Sequence, residues 1–232
     1  GSFSNIPIGF IPLGATNTIS QTLYPKSENK VQTISDATLA ILQGETMPLD
    51  VLQIKGEQEQ PVFALNGLRW GSYQDAAAKS TKYWYLGPLK TRAAHLFSTL
   101  KVPVEAAPEA WEEAQISAVE LSISTQNRQP DLGRLLDSMS ICIEPDTISK
   151  SEFISLGVEK TRDAQLCPKD GQILHVSRCN IRLPEGTGGH FSIDSEEYDA
   201  MSVDVTLLPR KLLFFCHPAQ KEKFSQSSPA SP

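Results

Sequence analysis

From Ser202 to Leu207 the chain alternates without a break: Val203, Val205 and Leu207 are apolar, while Ser202, Asp204 and Thr206 are polar. Successive side chains of a strand point to opposite faces, so the pattern commits this stretch to a strand with one buried face. Such half-wet strands belong to antiparallel sheets. The surrounding segment Phe191–His217 (FSIDSEEYDAMSVDVTLLPRKLLFFCH) is predicted to form a β-hairpin with 203–207 in its second strand. Its first strand sets Asp194 and Glu196, two positions apart, on one face. Paired carboxylates on a rigid strand suit base chemistry on a hydroxyl, although a charged turn at a strand end explains the same residues more plainly.

Other segments extend the β reading. Gln115–Thr125, Met139–Ile143, Ile154–Leu156 and Ile173–Leu183 are candidate strands, and Leu49–Lys55 with Pro61–Leu68 flank a polar GEQEQ turn as a hairpin. Ile6–Leu13 fits a short buried strand ended by Gly14-Ala15-Thr16-Asn17. A helix is expected over Ser35–Gln43, started by Ser35-Asp36 and stopped by Gly44. Ser72–Tyr85 and Pro88–Leu100 are also predicted helical. The Pro/Ala/Glu stretch at 101–111 lacks periodicity and is expected to be a mobile linker, and Gln126–Asp137 a polar loop. The expected fold is α+β: a β-rich lobe, an antiparallel β-sandwich with a few helices. Residues 1–18 form a boundary strand and turn, 19–218 the lobe and 219–232 a disordered tail. The chain enters its first strand at once and reads as a piece of something longer.

Composition narrows the class. With 232 residues and 40% hydrophobic content the chain can bury a sizeable core. A formal net charge of −6 argues against nucleic acid as the main partner. No Lys/Arg cluster of the kind that grips anionic lipid stands out along the sequence. Cys142, Cys167, Cys179 and Cys216 show no CxxC spacing and are expected to be free thiols, and His95, His175, His190 and His217 have no metal-ligand spacing.

Three further positions bear on chemistry. Exposed N–H groups in the Gly14–Asn17 turn suit phosphate oxygens, though an ordinary connection has the same look. Asp75, in WGSYQDAAAK, is either the N3 residue of a helix capped by Ser72 or an acceptor for a substrate hydroxyl. Asp50 opens a strand and is either a surface residue or part of a polar network at a domain boundary. The apolar stripe from Tyr83 through Phe97 fits core packing or a lipid-facing groove.

These features stand in the order found in one family. PIGFIPLGATN resembles the P-x-G-x-x-P-L-G-T-x-N-D turn of the diacylglycerol, sphingosine and ceramide kinases and their bacterial relatives. LDVLQIK and FALNGLRWGSYQDAAAKSTKYWYLGPLK are similar to their D-x-g and N-x-x-x-x-G-x-x-a-D … K-Y-x-x-L-G block, and FSIDSEEYDAMSVDVTLLPRKLLFF to their D-G-E hairpin. Within the family, the wording of NIPIGFIPLG, ETMPLDVLQIKGE and ICIEPDTIS resembles the mitochondrial branch that acts on acylglycerols.

The resemblance implies a C-terminal lobe that binds lipid and works with an N-terminal α/β lobe, using ATP and Mg2+ to phosphorylate mono- and diacylglycerol. It implies that Gly14 and Asn17 contact nucleotide, that Lys90 lies near the ATP phosphates and that Asp75 holds the lipid head. Asp50 would join an interlobe network, and Asp194 and Glu196 would be the catalytic carboxylates, with Ser195 in place of the family's glycine. It also implies peripheral association with the mitochondrial inner membrane, facing the intermembrane space. The alternative role is a non-catalytic subunit of the inner-membrane carrier translocase. Ala15 and Thr18 depart from the turn's usual Thr and Asp, and the family's G-G-D-G-T phosphate loop is absent.

Overall fold

The computed structural model describes residues 5–14, 17–56, 60–71, 96–104, 107–145, 155–156, 159–160, 165–187 and 189–226. Within them lie helices α1 (Ser20–Leu23), α2 (Lys30–Gln43) and α3 (Pro218–Ser225). The strands are β1 (Thr46–Gly56), β2 (Val62–Ala64), β3 (Gly67–Gly71), β4 (Leu96–Val104), β5 (Ala107–Ser124), β6 (Met139–Pro145), β7 (Gln172–Val176), β8 (Arg178–Arg182), β9 (His190–Ile193), β10 (Glu196–Asp199) and β11 (Val203–Phe215).

All eleven strands join one sheet of order β10-β9-β3-β5-β4-β8-β11-β1-β2, with β6 added on β5 and β7 on β6. The named pairings are antiparallel, which matches the β-rich lobe expected from alternation. Inward residues from distant parts of the sheet share one core: Leu52, Leu68, Trp70, Leu121, Ile141, Ile181, Phe191 and Val205 are all buried in it. The sheet therefore curls round its own apolar face. In β11 the burial of Val203, Val205 and Leu207 against exposed Asp204 and Thr206 follows the sequence pattern.

A second core seats the helices on the far ends of β1 and β11. Leu23, Tyr24, Ala37, Ala40, Met47, Phe214 and Phe224 meet there. The Tyr24 hydroxyl donates to the Phe10 carbonyl at 2.6 Å, and burial pushes its pKa up to about 12. Helix α2 ends at Gly44, as expected, with φ 77°. It begins earlier than predicted because Asn29, not Ser35, is the N-cap, its side chain accepting from the Val31 N–H at 2.9 Å.

Several expectations are corrected. Ile6–Leu13 forms no strand beyond a bridge from Ile8 to Phe214, and Ile6, Ile11 and Leu13 are exposed; Pro7 and Pro12 carry no N–H for a ladder. Leu96–Leu100 is strand, not helix; the rest of both predicted helices, at 72–95, lies outside the described residues. The supposed linker is mostly paired structure, with Lys101 opposite Glu113 and bonded to it at 2.9 Å. Ser155 and Leu156 are helical rather than extended. Ile173–Leu183 contains two strands, broken at Ser177. The tail forms α3 as far as Ser225, anchored by buried Phe224. Cys142 and Cys167 form a disulfide with a Cα–Cα distance of 6.0 Å, while Cys179 and Cys216 are buried free thiols. Among the described residues no helix is long and apolar enough to cross a membrane.

Candidate active site

The pair Asp194 and Glu196 does not share a strand face. β9 and β10 pair Ile193 with Glu196, so Asp194 and Ser195 form a two-residue hairpin turn, with φ 48° and 75°. The hairpin partner of β9 is the short β10, and β11 pairs instead with β8 and β1. The i, i+2 rule holds only while a chain stays extended, and here the chain reverses at the first carboxylate.

The two acids consequently have different surroundings. The Asp194 carboxylate accepts three backbone N–H bonds, from Leu65 at 2.6 Å, Asn66 at 2.8 Å and Gly67 at 3.0 Å. It clamps the β2–β3 turn to the β9–β10 turn. Glu196 is exposed, and its Oε2 accepts from the Tyr198 hydroxyl at 3.1 Å. That bond to a carboxylate is the first cause that holds the Tyr198 phenol above its ordinary pKa. Of the two carboxylates, Glu196 is thus the one open to solvent.

A polar chain runs from this clamp to Asp50. Thr125 Oγ1 and Asn127 Nδ2 both donate to the Leu65 carbonyl, at 2.6 and 2.7 Å. Asn127 then brackets Asp50, accepting from its N–H at 2.9 Å and donating to its carbonyl at 2.8 Å. Asp50, 1% exposed, accepts at Oδ1 from Arg134 Nη2 at 2.6 Å and from the Arg210 N–H at 2.9 Å. Its Oδ2 is buried with no hydrogen-bond partner among the described residues. The structure thus joins Asp50 and Asp194 through one hydrogen-bonded framework and rejects the surface reading of Asp50.

Gly14 and Asn17 also meet: Asn17 Nδ2 donates to the Gly14 carbonyl at 2.8 Å, and Lys30 Nζ donates to the Leu13 carbonyl at 3.1 Å. The turn is closed by its own side chain. Asp75 and Lys90 lie outside the described residues. Among the described residues no three His, Cys, Asp or Glu side chains converge to hold a metal ion.

A buried charge cluster went unnoticed in the sequence. Glu120 accepts from Arg69 at 2.7 Å and from Lys160 at 3.1 Å, and Lys160 also bonds Glu144. Glu120, Glu144 and Lys160 are all at most 2% exposed. Burial pushes the Glu144 carboxyl up to about 7, with Lys160 opposing that shift. Glu120 lies two and four positions after buried Ala118 and Ile116, yet Leu121 and Ile123 beside it are buried as well, so the alternation of β5 breaks there and does not mark it as buried.

Comparison with known proteins agrees with this architecture. The family described as "Acylglycerol kinase C-terminal" matches residues 65–105 and 101–229. The chain is 59% identical over 280 aligned positions to "Acylglycerol kinase, mitochondrial" of Xenopus laevis, covering 99% of this chain and 65% of that protein. The human protein of the same name is 50% identical, over 97% of this chain and 66% of its own length. The chain therefore spans just under two thirds of these relatives. Among solved structures, a putative diacylglycerol kinase from Bacillus anthracis superposes with a TM-score of 0.60 at 18% identity, covering 92% of this chain and 70% of that one. At that identity it speaks for the fold. The family match and the relatives together place this chain in the acylglycerol kinase C-terminal family.

Proposed function

We propose that the chain is the lipid-binding lobe of an ATP-dependent kinase acting on monoacylglycerol and diacylglycerol, giving lysophosphatidic and phosphatidic acid. The observation that carries this reading is 59% identity, across nearly the whole chain, to a protein named as an acylglycerol kinase. In the transfer a bond forms between the lipid hydroxyl oxygen and the γ-phosphorus, the β–γ bridging P–O bond breaks, and ADP leaves. Such chemistry is mainly positioning and charge neutralisation.

Glu196 takes the hydroxyl proton in this reading, because its carboxylate is open while that of Asp194 is occupied by three N–H groups. Asp194 positions the turn that presents Glu196. Asp50 and Arg134 tie the site to the N-terminal α/β lobe. Gly14 and Asn17 approach the nucleotide, Lys90 offsets phosphate charge, and Asp75 orients the glycerol head. Mg2+ accompanies ATP, and among the described residues no three His, Cys, Asp or Glu side chains form a ligand set for it.

The proposed location is the mitochondrial inner membrane, on its intermembrane-space side, with peripheral membrane association. The relatives' names support the organelle, and the Cys142–Cys167 disulfide suits an oxidising compartment. The two-lobed protein should phosphorylate monoacylglycerol from radiolabelled ATP, and this lobe alone should not. Absence of labelled lipid from the two-lobed protein would overturn the reading.

A second role, as a subunit of the carrier translocase, draws on Leu135 and Leu136, which stand 98% and 81% exposed at one loop tip. Carrier-precursor binding that survives Glu196→Gln but is lost on Leu135→Ser/Leu136→Ser is the expected signature.

A further inference from the structure

The sequence shows no run of basic residues, yet the fold assembles a basic trough. On β5 and β6 the residues Leu121, Ile123, Ile141 and Ile143 face the core. The alternate positions Ser122, Ser124 and Ser140 therefore face outward and line a groove of about 660 Å3. Strand pairing sets Ser122 opposite Cys142 and Ser140 opposite His175, so the floor crosses three strands. Lys26, in the loop after α1, Arg128, in the loop after β5, and Lys223, on α3, line the same groove. Both disulfide cysteines line it too, so a covalent bond fixes part of the wall.

The charge of this lining is one-sided. Among the described residues it holds the cations Lys26, Arg128 and Lys223, with His175 beside them, and no Asp or Glu, in a chain with 27 acidic residues against 21 Lys and Arg. Hydroxyl and amide groups fill most of the remaining positions. Cationic groups around neutral donors match a multiply charged group of several oxygens better than a single carboxylate, which one Arg or Lys satisfies. The volume suits a headgroup-sized ligand, and the trough's open side leaves room for a larger body outside.

We propose that this trough is a phosphate-binding site, accepting a phosphomonoester or inorganic phosphate; Thr125 is common to its lining and to the Asp50–Asp194 framework. The proposal does not rest on the kinase reading. The phosphate can come free in solution or on a lipid headgroup, and the probes separate these sources.

The test uses this chain with two kinds of probe. Inorganic phosphate is titrated while backbone amide resonances are followed by NMR. Phosphatidylcholine vesicles, with and without phosphatidic acid, are sedimented with the protein. Phosphate should shift the amides of Ser122, Ser124 and Ser140. Co-sedimentation should require phosphatidic acid if the headgroup is the source.

Lys26→Glu/Lys223→Glu should weaken binding at least about tenfold, since each cation near an anionic surface contributes about fivefold. Lys26→Gln/Lys223→Gln should give a smaller loss, and both proteins should keep the parent's circular dichroism because both lysines are exposed. Binding of phosphate alone, of phosphatidic acid alone or of both, lost in the variants, supports the site. Failure to bind either probe, or equal binding by the glutamate variant, would overturn it.

Discussion

Asp194 and Gly67 hold each other from both sides: the Asp194 N–H donates to the Gly67 carbonyl at 3.1 Å, and the Gly67 N–H donates to Asp194 Oδ1 at 3.0 Å. Gly67 also runs so close to β5 that an added Cβ would fall 2.1 Å from the Ile123 carbonyl oxygen. The turn before β3 is thus pinned on both flanks, and the exposed carboxylate of Glu196 stands on a rigid support.

That arrangement separates the two acids experimentally. Asp194→Ala leaves three backbone N–H groups without their acceptor and should destabilise the lobe by about 2–4 kcal/mol in urea unfolding. Glu196→Gln should change stability by less than about 0.5 kcal/mol, because the side chain is exposed. In the two-lobed protein the same change should lower turnover by about 10²–10⁴-fold, the usual contribution of a general base. Near-normal turnover of Glu196→Gln would remove it from the chemistry.

Ser195 occupies a left-handed conformation, φ 75°, where a side chain is strained and glycine is not. Ser195→Gly should stabilise the chain by roughly 0.5–1 kcal/mol, read as a higher urea midpoint at unchanged slope.

The buried Glu144 makes stability depend on pH. Its folded pKa, about 7, lies above the ordinary value of 4.5 expected of the unfolded chain. Between those values the folded state binds more protons, so stability is greatest below about pH 4.5 as far as this group is concerned, and is lost as pH rises through 7. Glu144→Gln should flatten that part of the stability–pH profile, measured by urea unfolding from pH 5 to 8. An unchanged slope would show that Lys160 keeps the carboxylate ionised.

The Cys142–Cys167 disulfide closes a segment with a sequence separation of 25. Reduction, or Cys142→Ser, should cost about 2–4 kcal/mol, seen as a lower thermal midpoint with dithiothreitol present. Cys179 and Cys216 are buried, so Ellman's reagent should find little free thiol before unfolding.

What the sequence revealed depended on how local the cause was. Val203–Leu207 alternate because one face meets the core within the segment itself; that segment and Gln115–Ser124 are both strands as expected, the latter changing its buried face at the register shift between Ala118 and Glu120. Gly44 stops α2 through its own backbone freedom. Long-range causes left no trace: Cys167 reaches Cys142 only through the fold, and Glu120 is buried by Lys160 from forty positions away. Asp50 and Asp194 stand out in the sequence, yet the residues that connect them do not: Thr125 ends a predicted strand and Asn127 sits in an ordinary-looking polar loop. Asp194 and Glu196 do not share a face because the chain reverses between them, and alternation holds only along an extended strand.

The principal partner of β1 is β11, the last strand in sequence order among the described residues. During synthesis Thr46–Gly56 leaves the ribosome well before β11 and must wait, with the three-residue β2 beside it, until Phe215 has followed. A premature stop upstream of Val203 would leave no smaller folded lobe, only an unsatisfied strand edge open to aggregation and proteolysis.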